Sequence, residues 1–150
     1  MKHRDNELKF EMTFPAGWRR PGLLHRLKRI PVQLASTSSY IAGGLEFYGP
    51  SGDSIKMAVG PISPEPTPEA HQQTVRAIAI RHRHKVLDLG TIKVAGKSHA
   101  TMVVAIPTLP GPLTLKNYFL IFHGTEYVVT ALLKAGEETY DEIVRSFRPI

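Results

Sequence analysis

The stretch Leu115-Lys-Asn-Tyr-Phe-Leu-Ile-Phe-His-Gly-Thr-Glu-Tyr-Val-Val-Thr-Ala-Leu-Leu133 decides the fold. It reads as a hairpin turning at His123-Gly124-Thr125-Glu126. In the first arm Leu115, Phe119 and Ile121 point one way, and Tyr118, Leu120 and Phe122 point the other. In the second arm Val128 and Leu132 oppose Val129, Ala131 and Leu133. Side chains of a strand alternate between its faces, so arms that are apolar on both sides need cover on both sides. The next residues offer one cover. Tyr140, Ile143, Val144 and Phe147 fall at i, i+3, i+4 and i+7, with Glu137-Glu138 at the positive end of the helix dipole and Arg145 and Arg148 at the negative end.

Upstream, Pro110-Gly-Pro112 marks a loop, and residues 86–94 and 98–106 read as a second hairpin turning at Ala95-Gly96-Lys97. Thr67-Pro68-Glu69 starts a helix: a hydroxyl cap, proline at the first position, and an acid in the first turn. That helix is expected to reach about Arg83, with Val75, Ile78, Ala79 and His82 inward. Residues 45–48 and 54–60 form a third hairpin about Gly49-Pro-Ser-Gly-Asp53, where proline presets one dihedral and glycine permits a positive one. Leu8, Phe10, Met12 and Phe14 alternate with polar residues, a strand with one dry face. This strand and the one at residues 55–59 belong near the rims. The expected fold class is α/β (α+β), a three-layer sandwich: a central antiparallel sheet of about six strands covered by helices on both faces, with residues 1–150 as one domain. The rival is a curved sheet wrapped around one long helix, enclosing an apolar ligand cavity.

The chain has 150 residues and no cysteine, which excludes disulfides, thiolate zinc sites and thiol nucleophiles. Lysine and arginine outnumber acids 19 to 13, for a net charge of +6, and the excess is uneven. It gathers in residues 1–30 and 76–97, a distribution that attracts anionic partners. The N-terminus carries no apolar leader and no run is long enough to cross a bilayer, so a cytoplasmic location is expected.

Trp18, Arg19, Arg20, Leu24, Arg26, Leu27, Lys28 and Arg29 interleave apolar and basic residues over one or two helical turns between prolines. They are the candidate partner-binding residues, suited to a protein with an acidic surface or to a membrane face. A nucleic-acid partner is not expected, because no stacking motif accompanies the charge. No metal or cofactor is expected either. His82-Arg-His84 lies among Arg81, Arg83 and Lys85 with only Asp88 nearby, a poor setting for a divalent cation, and His82 reads as cover for the helix's inner edge. His123 and Glu126 suit an acid/base dyad, and a small enzyme would draw on His99, His123 or Glu126. No nucleophile elbow, phosphate-binding glycine loop or His-Glu-x-x-His is present.

Five pieces occur in order over nearly the whole chain: Phe10…Phe14-Pro15-x-Gly17-Trp18, Phe47-x-Gly49-Pro50-x-Gly52, Gly90-x-Ile92…Gly96, Tyr118…Gly124-x-x-Tyr127-x-x-Thr130 and Ile143-x-x-Ser146-Phe147. Together they resemble the PsbP-like family. The resemblance implies an antiparallel sheet between helices. That fold is shared with a nucleotide-release factor for the Ran GTPase and with bacterial families of unknown function, and members include a photosystem II extrinsic subunit and adaptor chaperones for type VI secretion effectors. It therefore implies a non-catalytic binding, adaptor or assembly role. None of the matched positions is a metal- or Ran-binding residue, so the pieces report packing. A small His/Glu enzyme and a carrier of a small apolar ligand stay open beside that reading.

Overall fold

Two tight turns build the centre of the molecule. Ala95 and Gly96 have φ of 50° and 77°, and His123 and Gly124 have φ of 51° and 74°. Two successive left-handed residues give the turn whose twist matches that of paired strands. The first turn joins β5 (Lys85–Val94) to β6 (Lys97–Ile106), and the second joins β7 (Leu113–Phe122) to β8 (Thr125–Leu132). With β3 (Gly43–Tyr48) and β4 (Ser54–Pro61) they form a six-stranded antiparallel sheet in the order β3-β4-β8-β7-β6-β5. Two helices, α1 (Pro68–Arg81) and α2 (Glu137–Arg145), complete a mixed α+β fold in this computed structural model, which describes residues 1–19, 43–133 and 136–150.

The strand expected over residues 8–14 begins later and sits elsewhere. It is β2 (Phe10–Thr13), the middle of a separate three-stranded sheet with β1 (Lys2–Asp5) and β9 (Arg148–Pro149), and not a rim of the large sheet. Leu8 falls in the β1–β2 turn. There Asp5 Oδ1 accepts the amides of Glu7 at 3.0 Å and Leu8 at 2.9 Å, and Lys9 takes a φ of 63°. Charge hid β1 in the sequence, because its inward residues are His3 and Asp5.

The start of α1 follows its signal: Thr67 Oγ1 accepts the Ala70 amide at 3.1 Å, with Pro68 leading. The helix ends at Arg81, two residues early. Arg83, at φ 60°, occupies the left-handed stop that glycine usually fills. His82 therefore caps the helix from an exposed position, and His71 joins Val75 and Ala79 on the buried side.

β7 feeds two separate cores. Tyr118, Leu120 and Phe122 join Phe10, Met12 and Phe14 from β2 and its end, and Tyr140, Ile143, Val144 and Phe147 from α2 and its exit. Phe119 joins Val75 and Ala79 of α1, Ala100, Met102 and Val104 of β6, and Val128 of β8. Every residue from Tyr118 to Phe122 is at most 9% exposed, as the two-faced apolar pattern requires. A polar clasp ties α2 to β7. Lys116 Nζ donates to Glu137 Oε1 at 2.6 Å and Asp141 Oδ1 at 2.9 Å, and the Tyr118 hydroxyl donates to Asp141 Oδ1 at 2.5 Å. Burial opposes the Lys116 charge, but the two carboxylates outweigh it and hold its pKa above the usual lysine value.

Two of the motif pieces pack on each other. Phe14 stacks on Phe47 with ring centroids 4.5 Å apart, and the Trp18 ring lies against Gly49. A Cβ on Gly49 would stand 2.7 Å from that ring and 2.9 Å from Asp53 Cβ. Glycine is required at this position for space, at an ordinary φ of −97°.

Candidate binding surface

The polar groups best suited to chemistry lie inside. His71 of α1 and Glu126 of β8 meet with Nε2 and Oε2 2.8 Å apart, their side chains 2% and 1% exposed. His71 also packs on Phe119, with ring centroids 5.2 Å apart. In the sequence Glu126 reads as a turn residue beside His123. The turn needs only two residues, so Glu126 already belongs to β8, and its partner is His71, 55 residues away. His123 is left exposed at the turn.

Beside this pair the β6–β7 ladder opens. Its register stops at Ala100 opposite Phe119, and side chains take over the next backbone groups. Ile121 N–H donates to His99 Nδ1 at 3.1 Å, and Lys97 Nζ donates to the Ile121 carbonyl at 2.9 Å and also to Glu65. The gap is a cavity of about 20 Å³ lined by His71, His99, Phe119 and Ile121, among others, which is room for one water and not for a substrate. Of His99, His123 and Glu126, only His99 lines this gap. His71 with Glu126, and His99 with Lys97, fasten α1 and the strand ends.

His99 titrates accordingly. Burial lowers its pKa from 6.5 to about 4, helped by Lys97 and His71 and opposed by a backbone hydrogen bond with Val94. Between pH 6.5 and about 4 the unfolded chain binds a proton that the folded chain refuses, so stability falls as pH falls through that window. The full loss is about 3 kcal/mol, since one pKa unit is worth about 1.4 kcal/mol. Replacing His99 by Asn keeps an acceptor near the Ile121 amide and removes the titration. Urea unfolding across this range is expected to give a curve for His99→Asn that is flatter than wild type by this amount. Parallel curves would contradict the assignment.

One end of the large sheet carries exposed cations from both basic stretches of the sequence. The registers Ile55 to Ala131, Leu115 to Leu132, Ile106 to Leu113 and Lys85 to Ala105 bring together the end of β3, the start of β4, the end of β8, the start of β7, the end of β6 and the start of β5. The α1 exit, with exposed Arg81, Arg83 and Lys85, leads into the same end. Arg19 also lies there, because it bridges to Tyr48, the last residue of β3, and its guanidinium sits 5.7 Å from the Tyr48 ring centroid. Both basic stretches of the sequence therefore reach one end, on opposite edge strands five strand spacings apart, or about 24 Å.

Of the predicted binding residues, Arg19 is exposed. Trp18 is 7% exposed and packs edge-on to Tyr140 at 6.3 Å, so its indole serves the core. Arg20, Leu24, Arg26, Leu27, Lys28 and Arg29 lie outside the described residues, as does the short helical segment expected over residues 23–30. Sequence reasoning missed the apolar side of this end: Ile80, Leu87, Leu109 and Leu113 are 52%, 48%, 105% and 41% exposed. The available signal was the Pro-Gly-Pro loop, which follows Leu109 and precedes Leu113 without burying either.

No protein-family model matches the chain, and no curated protein matches it in sequence. Solved structures do match in shape. Cyanobacterial PsbP (CyanoP) from Synechocystis sp. PCC 6803 is 9% identical, with 100% of this chain and 92% of that chain covered and a TM-score of 0.60. The Saccharomyces cerevisiae Ran-binding protein Mog1p is 10% identical, with 99% and 94% covered and a TM-score of 0.60. A Bacteroides thetaiotaomicron protein is 8% identical with a TM-score of 0.59; 99% of this chain matches it, but only 48% of that longer chain. The motif pieces, the six-stranded antiparallel sheet and these likenesses agree: the chain has the PsbP-like fold.

Proposed function

We propose that the chain is a non-catalytic binding or assembly module that engages a protein partner with an acidic surface. The observation that carries this reading is the division between inside and outside. The His71–Glu126 pair is sealed at 2% and 1% exposure, whereas the cations at one sheet end face solvent. A sealed pair supports packing, and exposed cations support association with anions. The likeness to a Ran-binding protein and to a PsbP supports a binding or assembly role over a reaction. On this reading the chain works as one three-layer domain, α1 over one face of the large sheet and α2 with the small sheet over the other, as the alternation of Phe119 against Tyr118 and Leu120 between the two cores suggests. The contact runs from Arg19 through the basic–apolar residues to Arg29.

The test is capture of partners from the native host, compared between wild type and two double variants, Arg26→Glu with Arg29→Glu and Leu24→Ser with Leu27→Ser. Each double variant is expected to lose the partner while keeping the wild-type unfolding midpoint. Capture that survives both would put the contact elsewhere.

A further inference from the structure

We infer that the corner formed by the end of α1, the start of β5 and the β6–β7 turn docks on an anionic lipid bilayer. Leu109 stands wholly outside the surface at 105% exposure. Its turn is closed twice: the Gly111 amide donates to the Thr108 carbonyl at 3.1 Å, and the Thr108 hydroxyl donates to the Gly111 carbonyl. Pro110 stiffens it further, so presenting the leucine requires little additional ordering. Leu113, Ile80 and Leu87 lie at the same end of the sheet, each at least 41% exposed.

Arg81, Arg83 and Lys85 are exposed in the same corner, and none has an ion-pair partner among the described residues. Asp88 is the only carboxylate on β5, and β6, β7 and the turn between them have none. An apolar tip beside three exposed cations, with one carboxylate on the adjoining strands, fits a headgroup layer. Lipid yields around a protruding side chain and supplies negative charge beside it, and the two attractions add. A protein partner would instead need a preformed pocket for Leu109. This inference goes beyond the protein-partner reading and stands without it, because the residues and the assay are different.

The test is flotation of the full chain with vesicles of phosphatidylcholine mixed with phosphatidylglycerol, against phosphatidylcholine alone, at low salt. Binding is expected only to the mixed vesicles. Leu109→Ser should weaken it about tenfold. The triple change Arg81→Gln, Arg83→Gln and Lys85→Gln should weaken it about a hundredfold, at about a factor of five for each charge. Lys93→Gln, at the far end of β5, is the control and should change little. Circular dichroism of each variant reports that it is folded. No binding to mixed vesicles, equal binding to phosphatidylcholine alone, or binding retained by both surface variants would overturn the inference. So would displacement from vesicles by soluble polyglutamate with no effect of Leu109→Ser, which would point to an acidic polypeptide as the occupant.

Discussion

Glu126→Ala is expected to cost about 3 kcal/mol of folding stability, because it strands His71 in a site with 2% side-chain exposure. The magnitude follows from asymmetry. A buried hydrogen-bonded pair adds little over well-packed apolar groups, but removing one member leaves the other desolvated and without its partner. A domain of this size has about 5–15 kcal/mol in total, so the single variant sits close to unfolding. His71→Leu with Glu126→Met should be far less damaged than the sum of the two single changes. Urea unfolding of all four proteins reads the coupling, expected at about 2 kcal/mol or more. Additive losses would mean that the two side chains do not act as a unit.

The second large effect is expected at Phe147. Its ring stacks on Phe10 at 5.5 Å and on Phe122 at 5.6 Å, and meets Tyr127 edge-on at 4.9 Å. One fully buried side chain thus joins the small sheet, two strands of the large sheet and the exit of α2. Phe147→Ala removes the shared contact and leaves a cavity between rigid rings, so a loss of about 3–5 kcal/mol is expected. Phe147→Leu should cost less, because it leaves a smaller void. The alanine variant should also speed amide exchange in β2 (Phe10–Thr13), which the ring holds in place. Exchange in β2 at the wild-type rate would mean that the small sheet is held by other contacts.

The sequence was most legible where one physical rule acted alone. The period of two in residues 115–133 needs only the alternation of strand side chains, and Thr67-Pro68 needs only the unpaired amides of a helix start. Tyr140, Ile143, Val144 and Phe147 kept their stripe because one face of α2 is buried. Legibility failed where tertiary contacts overrode local character. His3 and Asp5 read as surface residues, yet they point inward in β1. His71 sits among Ala70 and Gln72 with no pattern to mark it, and its partner lies 55 residues on in a position that resembled a turn. The exposed leucines were hidden for the opposite reason: Leu109 and Leu113 read as ordinary loop and strand residues, and only the sheet register brings them beside Arg81, Arg83 and Lys85.

The apolar strands of β7 and β8 and the sealed histidine–glutamate pair hold the scaffold, and exposed charge and leucine at one sheet end meet the outside. His71 itself lines the gap beside β6 and β7, which has space for one water.

The most direct test is host-partner capture by the His71→Leu/Glu126→Met double variant, once its unfolding midpoint shows that it is folded. Capture equal to wild type is expected, because the pair is buried and joins α1 to β8. A folded double variant that no longer captures its partner would contradict it, and would return the buried pair to the centre of the activity.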